Sequence, residues 1–238
     1  MTTPIDPGAG QYRLMTWLSP SFPVGAYSYS HGIEYAIESG NVCDGESLQT
    51  WISGILDFGT GRTDAILFRA AWKAVYQSDD ELLAWAIETA ATFRPTREMA
   101  LESSAQGTAF LEALITSWPD AGLVTYRDCL VRLGRAAEYP VTVGVATALS
   151  KIDLLCGLGG YLHALISNLV SAGIRSIPLG QTAGQSIISA LEGNVLAMAR
   201  TISRDDFDRL REDFGSAAAM VDWTSMKHET QYTRIFRS

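Results

Sequence analysis

Residues 158–170, LGGYLHALISNLV, place Leu158, Tyr161, Leu162, Leu165, Ile166 and Leu169 at intervals of three and four. That spacing sets six apolar side chains on one face of a helix with 3.6 residues per turn. It is the cleanest stripe in the chain, and Pro178 ends the region beyond it. On its C-terminal side, Ile187, Ile188, Leu191, Val195 and Leu196 mark a further helix, and a last one is expected over roughly 205–228. On its N-terminal side, residues 141–156, VTVGVATALSKIDLLC, carry enough β-branched residues to suit a strand. Their neighbours read as helical and no partner strand is evident, so a helix is expected there too.

The rest of the chain reads the same way. Asp44 is placed to cap a helix whose buried face is Leu48, Trp51, Ile52, Ile55 and Leu56. Helices are expected at Tyr12–Leu18, Ser28–Ser39 and Thr63–Val75. Another opens at a capping box of Ser78 and Glu81. A long one begins at Pro95 and closes at Trp118-Pro119, and another spans residues 123–138. About ten helices with short loops predict a single all-α helical bundle over residues 11–226. Residues 1–10, with two prolines and two glycines, read as a flexible tail, and residues 227–238 as a C-terminal partner-binding tail.

Of the 238 residues, 47% are apolar and 18% charged, which is a globular composition and not a disordered one. The net charge of −8 disfavours nucleic acid and anionic membranes as principal partners. Cys43, Cys129 and Cys156 are odd in number, widely spaced and outside any CxxC, which fits a reducing compartment. The N-terminus has no basic and apolar leader, and no run of about 18 apolar residues predicts a membrane span. A cytoplasmic location follows as the expectation.

The chemistry-bearing motifs are sparse. His31, His163 and His228 stand singly, so no pre-spaced zinc-type site is written. Gly59–Thr63 and Gly180–Ser186 resemble fragments of phosphate loops but lack the lysine. Ser30 and His31 are adjacent, which on a helix turns them about 100° apart, so adjacency makes no dyad. A catalytic centre and a bound cofactor are therefore not expected. Two segments resist a purely structural reading. Residues 19–34, SPSFPVGAYSYSHGIE, crowd aromatics, hydroxyls, a histidine and a carboxylate into a kinked loop. Residues 228–238 combine Tyr232, Ile235 and Phe236 with Arg234 and Arg237. Aromatics and arginines are enriched at binding hot spots. The alternative for the second segment is a tail packed back on its own core.

These segments also carry a family resemblance. SPSFPVGAYSYSHGIE resembles the N-terminal signature of the UreF family of urease accessory proteins. YLHALISNLV with IRSIPLGQTAGQ resembles the central signature, EYPVTVGVATA fits between, and KHETQYTRIFRS resembles the C-terminal one. The similarity runs from about Leu14 to Ser238. It implies an all-α homodimer that binds a UreD-type (UreH) accessory protein. That pair recruits the GTPase UreG, and the assembly delivers nickel to apo-urease. The implied role is that of a non-catalytic adaptor and modulator of the GTPase. Tyr27 matches the aromatic that docks into the UreD-type partner, Glu34 and Arg175 match positions tied to GTPase control, and Arg234 matches an arginine of partner recruitment. Ser30, His31, His228, Glu229 and Tyr232 complete the expected partner-binding set, with Tyr161, His163 and Leu165 at the dimer contact. His31 stands where many relatives have glutamine. The alternative reading is a protein that binds or channels nickel through His31, Cys43 or His228.

Overall fold

The computed structural model describes residues 7–238, and the side chains from Gly8 onward. Its helices are α1 (Pro7–Trp17), α2 (Ile33–Glu38), α3 (Gly45–Phe58), α4 (Thr60–Gln77), α5 (Asp80–Thr92), α6 (Arg97–Ser117), α7 (Ala121–Leu133), α8 (Tyr139–Leu149), α9 (Leu154–Ser176), α10 (Gln181–Arg204), α11 (Phe207–Glu212) and α12 (Ala219–His228). A 3-10 turn covers Ala26–Ser28. No strand occurs among the described residues. The expected all-α fold is the observed one.

The centre is the pair α4 and α8, flanked by α3, α5, α6 and α9. Residues 141–149 are helical despite Val141, Val143 and Val145, because burial on all sides overrides local preference. Pro140 lies in the first turn of α8, where its missing N–H costs nothing. Gly144 is what lets the two helices touch. A Cβ there would stand 2.5 Å from the Phe68 carbonyl oxygen, which is backbone and cannot swing aside. Gly144→Ala is expected to destabilise the fold by about 1–3 kcal/mol, as overpacking does, read from the denaturant midpoint at unchanged slope.

α9 is long and apolar enough to cross a membrane by length and composition alone. In the fold its stripe of Leu158, Tyr161, Leu162, Ile166 and Leu169 is buried, and α9 packs along α10 and α4 as a core helix.

Several boundaries depart from the sequence reading. The helix expected at 28–39 is split, because His31 (φ 51°) and Gly32 (φ 74°) turn left-handed before α2. The helix expected at 141–156 breaks after Leu149. Lys151 is left-handed, Asp153 caps α9 by accepting from the Cys156 amide, and Cys156 belongs to α9. The last helix is two, α11 and α12. Between them Phe214 leaves the helical path to pack on Trp85 and Phe93, and Arg62 donates to the Asp213 and Gly215 carbonyls. Ser78 closes α4 in a left-handed turn, and Asp79 caps α5 in place of the expected Ser78–Glu81 box. Asp44 caps α3 as expected, in a reciprocal box with Ser47. Of the expected N-terminal tail, residues 1–6 lie outside the described residues and residues 7–10 are helical.

Candidate functional site

The first motif folds as a hook. Phe22 anchors it, with its ring 5.2 Å from Phe110. Gly25 (φ 72°) turns the chain into the 3-10 turn that carries Tyr27, which is 67% exposed. Tyr29, Ser30, His31 and Glu34 then point inward and are buried. At Gly32 a side chain has no room: a Cβ would lie 2.6 Å from the Ser225 amide nitrogen of α12. Close approach and a positive φ both demand glycine there.

The C-terminal segment lies in this hook. The Glu34 carboxylate accepts from the Ile235 amide at 2.7 Å and the Phe236 amide at 3.0 Å. The Ser30 amide donates to the Ser238 carbonyl at 2.8 Å, and the Arg237 amide to the Ser28 carbonyl at 2.8 Å. His228, with no exposed surface, bridges two carboxylates: Nδ1 is 2.7 Å from Glu98 and Nε2 is 3.1 Å from Glu34. Arg234 donates to the other Glu98 oxygen at 2.8 Å. Arg175 on α9 locks the outer edge. It donates to the Tyr27 carbonyl at 2.7 Å, and its guanidinium sits 4.4 Å above the Phe236 ring. Such stacking holds an aromatic in place at low cost.

Beneath the clamp lies a cavity of about 210 Å³, bordered by Tyr27 and His163 and lined deeper by His31, Glu102, Asp64 and Arg94. His31 Nε2 is 3.0 Å from Glu102, which also accepts from Gln106 and from the Ser238 hydroxyl. Asp64 accepts from Arg94 at 2.7 Å and from the Tyr161 hydroxyl at 2.8 Å. Burial pulls the His31 imidazole down, but the Glu102 charge and hydrogen bond, with Asp64 beyond, outweigh it and raise the group above its ordinary 6.5. A raised histidine stabilises the fold fully below its unfolded value and loses that contribution as pH climbs through the folded one. His31→Asn, which keeps the left-handed backbone accessible, should therefore cost most near pH 6. Its deficit in denaturant unfolding should narrow as pH rises above 6.5. A deficit independent of pH would contradict this charge state.

The structure gathers most of the expected partner-binding residues into one region, though not all of them at the surface. Tyr27, Tyr232 and Arg234 are exposed, as is Arg175, and Glu229 is half-buried, accepting from the Arg97 amide. Ser30, His31, Glu34 and His228 are buried and face their own chain, so their placement is that of supports for the surface. Of the expected dimer contact, His163 is exposed and Leu165 half-buried, whereas Tyr161 turns inward onto Asp64. The tail expected to serve partners is also packed on its own core. Gly59–Thr63 is buried where α3 meets α4, apart from half-buried Arg62. Cys43 and Cys156 are exposed on α3's approach and on α9, and no three His, Cys, Asp or Glu residues among those described are disposed to hold a metal ion. The sequence reading missed Asp64, Arg94, Glu98 and Glu102. Glu98, Glu102 and Gln106 fall at i, i+4 and i+8 of α6, and like charges so spaced oppose a helix unless something sits between them.

The chain is thus an all-helical protein whose buried polar groups fasten its two distant motif segments together. The chain belongs to the UreF family. The UreF family model matches residues 42–192. The "Urease accessory protein UreF" of Rhodopseudomonas palustris (strain BisB5) is 44% identical over 237 residues, covering 98% of this chain and 93% of that protein. The protein of the same name from Magnetococcus marinus (strain MC-1) is 42% identical over 97% of this chain and 98% of its own length. That from Bradyrhizobium sp. (strain BTAi1) is 47% identical over 95% and 91%.

Proposed function

We propose that this chain acts in the cytoplasm as a non-catalytic adaptor in urease maturation. It joins a UreD-type (UreH) accessory protein, organises the UreG-type GTPase on apo-urease, and modulates the GTPase step of nickel insertion. The observation that carries this reading is the clamp, which fastens the first motif to α9 and to the C-terminal segment and leaves Tyr27, Arg175, Tyr232 and Arg234 exposed. Exposed Tyr and Arg over a rigid base are what a binding hot spot requires. The outer face of α9 around His163 and Leu165 suits a homodimer contact.

Arg234→Glu is the test. Recruitment of the GTPase should be lost while the helical content stays unchanged. Because the new carboxylate would face Glu98, Tyr232→Ala serves as a second variant, for Tyr232 is fully exposed. Unchanged co-purification of the complete assembly with both variants would sink the reading.

The cavity favours a second reading, passage of nickel through the chain. Asp64, Glu102 and His31 put oxygen and nitrogen donors on its wall, beside the Arg94 guanidinium. Equilibrium dialysis separates storage from passage: saturable nickel binding at micromolar concentration supports storage, and its absence leaves only transit.

A further inference from the structure

α12 carries apolar side chains on the side turned away from the fold. Val221, Thr224, Ser225 and His228 face inward and are buried. Met220, Trp223 and Met226 are 53%, 41% and 51% exposed. At the start of α12 a groove of about 640 Å³ separates it from α3. Ser47, Thr50, Trp51, Gly54 and Phe58 form one wall at helical spacing, and Ala217 to Met220 form the other. Phe58 is 60% exposed, and the Trp51 indole N–H, whose nitrogen is buried behind the wall, finds no acceptor among the described residues. Among the described residues nothing lies within 4 Å of the point where a Cβ on Gly54 would stand, so the middle of the groove is open. From Ser47 to Phe58 the wall is roughly 16 Å long, about three helical turns.

The charge at this groove has one sign. Asp44 and Glu46 close one end, and no Lys or Arg lines it. Hydrogen bonds from Ser47 hold the Asp44 carboxyl below the usual carboxylate range, so that end stays negative. Met220 and Phe58 exposed at an open trough, with half-buried Trp51 between the ends of the wall, are the adaptable, apolar surface of helix-in-groove recognition.

We propose that the α3–α12 groove receives an amphipathic helix of a partner protein, apolar on the face that enters and bearing Lys or Arg where it meets Asp44 and Glu46. The groove shares no lining residue with the clamp or the cavity, so the proposal stands apart from the adaptor reading of that face.

The first test titrates the full chain with a helix-forming 16-residue peptide, leucine at i, i+3, i+4 and i+7, with three lysines at one end. A twin peptide carries three glutamates instead. The lysine peptide should bind about tenfold tighter or better, with the gap shrinking as salt rises. Phe58→Ser with Met220→Ser should cost it about another tenfold, and both positions are exposed enough for the fold to survive. Equal affinity for the two peptides, or no loss in the double variant, would overturn the proposal. The second test puts a photo-crosslinking side chain at position 54 in the complete maturation assembly. Recovery of a helical segment of another protein with basic residues at one end supports it. Crosslinking to a second copy of this chain, to an acidic or extended segment, or to nothing overturns it.

Discussion

Glu34→Ala should lower the stability of the protein by about 3–5 kcal/mol and release the C-terminal segment from its seat. The carboxylate is 7% exposed and its two oxygens accept from three groups: the Ile235 amide, the Phe236 amide and His228. Alanine removes every acceptor at once. Two backbone N–H groups then lose their partner, and at buried Phe236, where water reaches poorly, that loss costs about 1–3 kcal/mol. His228 keeps Glu98 on one side only. For a chain of this size each kcal/mol moves the melting temperature by about 2–4 °C, so a drop on the order of 10 °C is expected. Hydrogen exchange gives the local readout: the amides of residues 235–237 should lose protection far more than those of α4 or α8. Glu34→Gln keeps one carbonyl acceptor and should fall between. Partner capture should weaken in step with the lost protection, although Glu34 does not reach the surface. Full protection of the segment in Glu34→Ala, or weaker capture with the segment still protected, would count against the clamp.

The parts of this fold that were legible are those fixed by neighbours in sequence. The stripe from Leu158 to Leu169 and the Asp44 cap depend on residues within a few turns, and both are found as expected. The breaks that escaped notice depend on distant partners. Ser28–Ser39 reads as one helix until Ser225, almost two hundred residues on, presses against Gly32. Residues 205–228 read as one helix until Trp85 and Phe93 of the α5 region claim Phe214. The site divides in the same way. Tyr27, His31, Glu34, His228 and Arg234 stand out because their residue types are unusual in their segments. Which of them are buried depends on Glu98 and Glu102, and an isolated glutamate on an amphipathic helix reads as solvated surface. The i, i+4 repeat of like charge on α6 was the available signal.

Arg94→Leu should match the effect of Glu34→Ala from the other side of the cavity, at about 3–5 kcal/mol. The Arg94 side chain is 5% exposed and is the cation for two buried carboxylates. It donates to Asp64 at 2.7 Å and to the Ser103 hydroxyl at 2.9 Å, and its Nε lies 3.8 Å from Glu138. Leucine restores apolar volume but leaves both acids uncompensated, which is the costly way to break a buried pair. Burial already pushes Glu138 above the ordinary 4.5, with Arg94 acting against it, so without the guanidinium it rises further. An acid raised on folding binds its proton more tightly in the native state, so it favours the fold below its unfolded value and opposes it as pH climbs through the folded one. The deficit of Arg94→Leu should therefore be largest at neutral pH and shrink towards pH 4.5. That is opposite to a simple cavity defect, which is indifferent to pH. Adding Asp64→Asn and Glu138→Gln removes the stranded charges and should return more than half of the loss. If the triple variant is no more stable than Arg94→Leu, the cost lies in packing and not in charge.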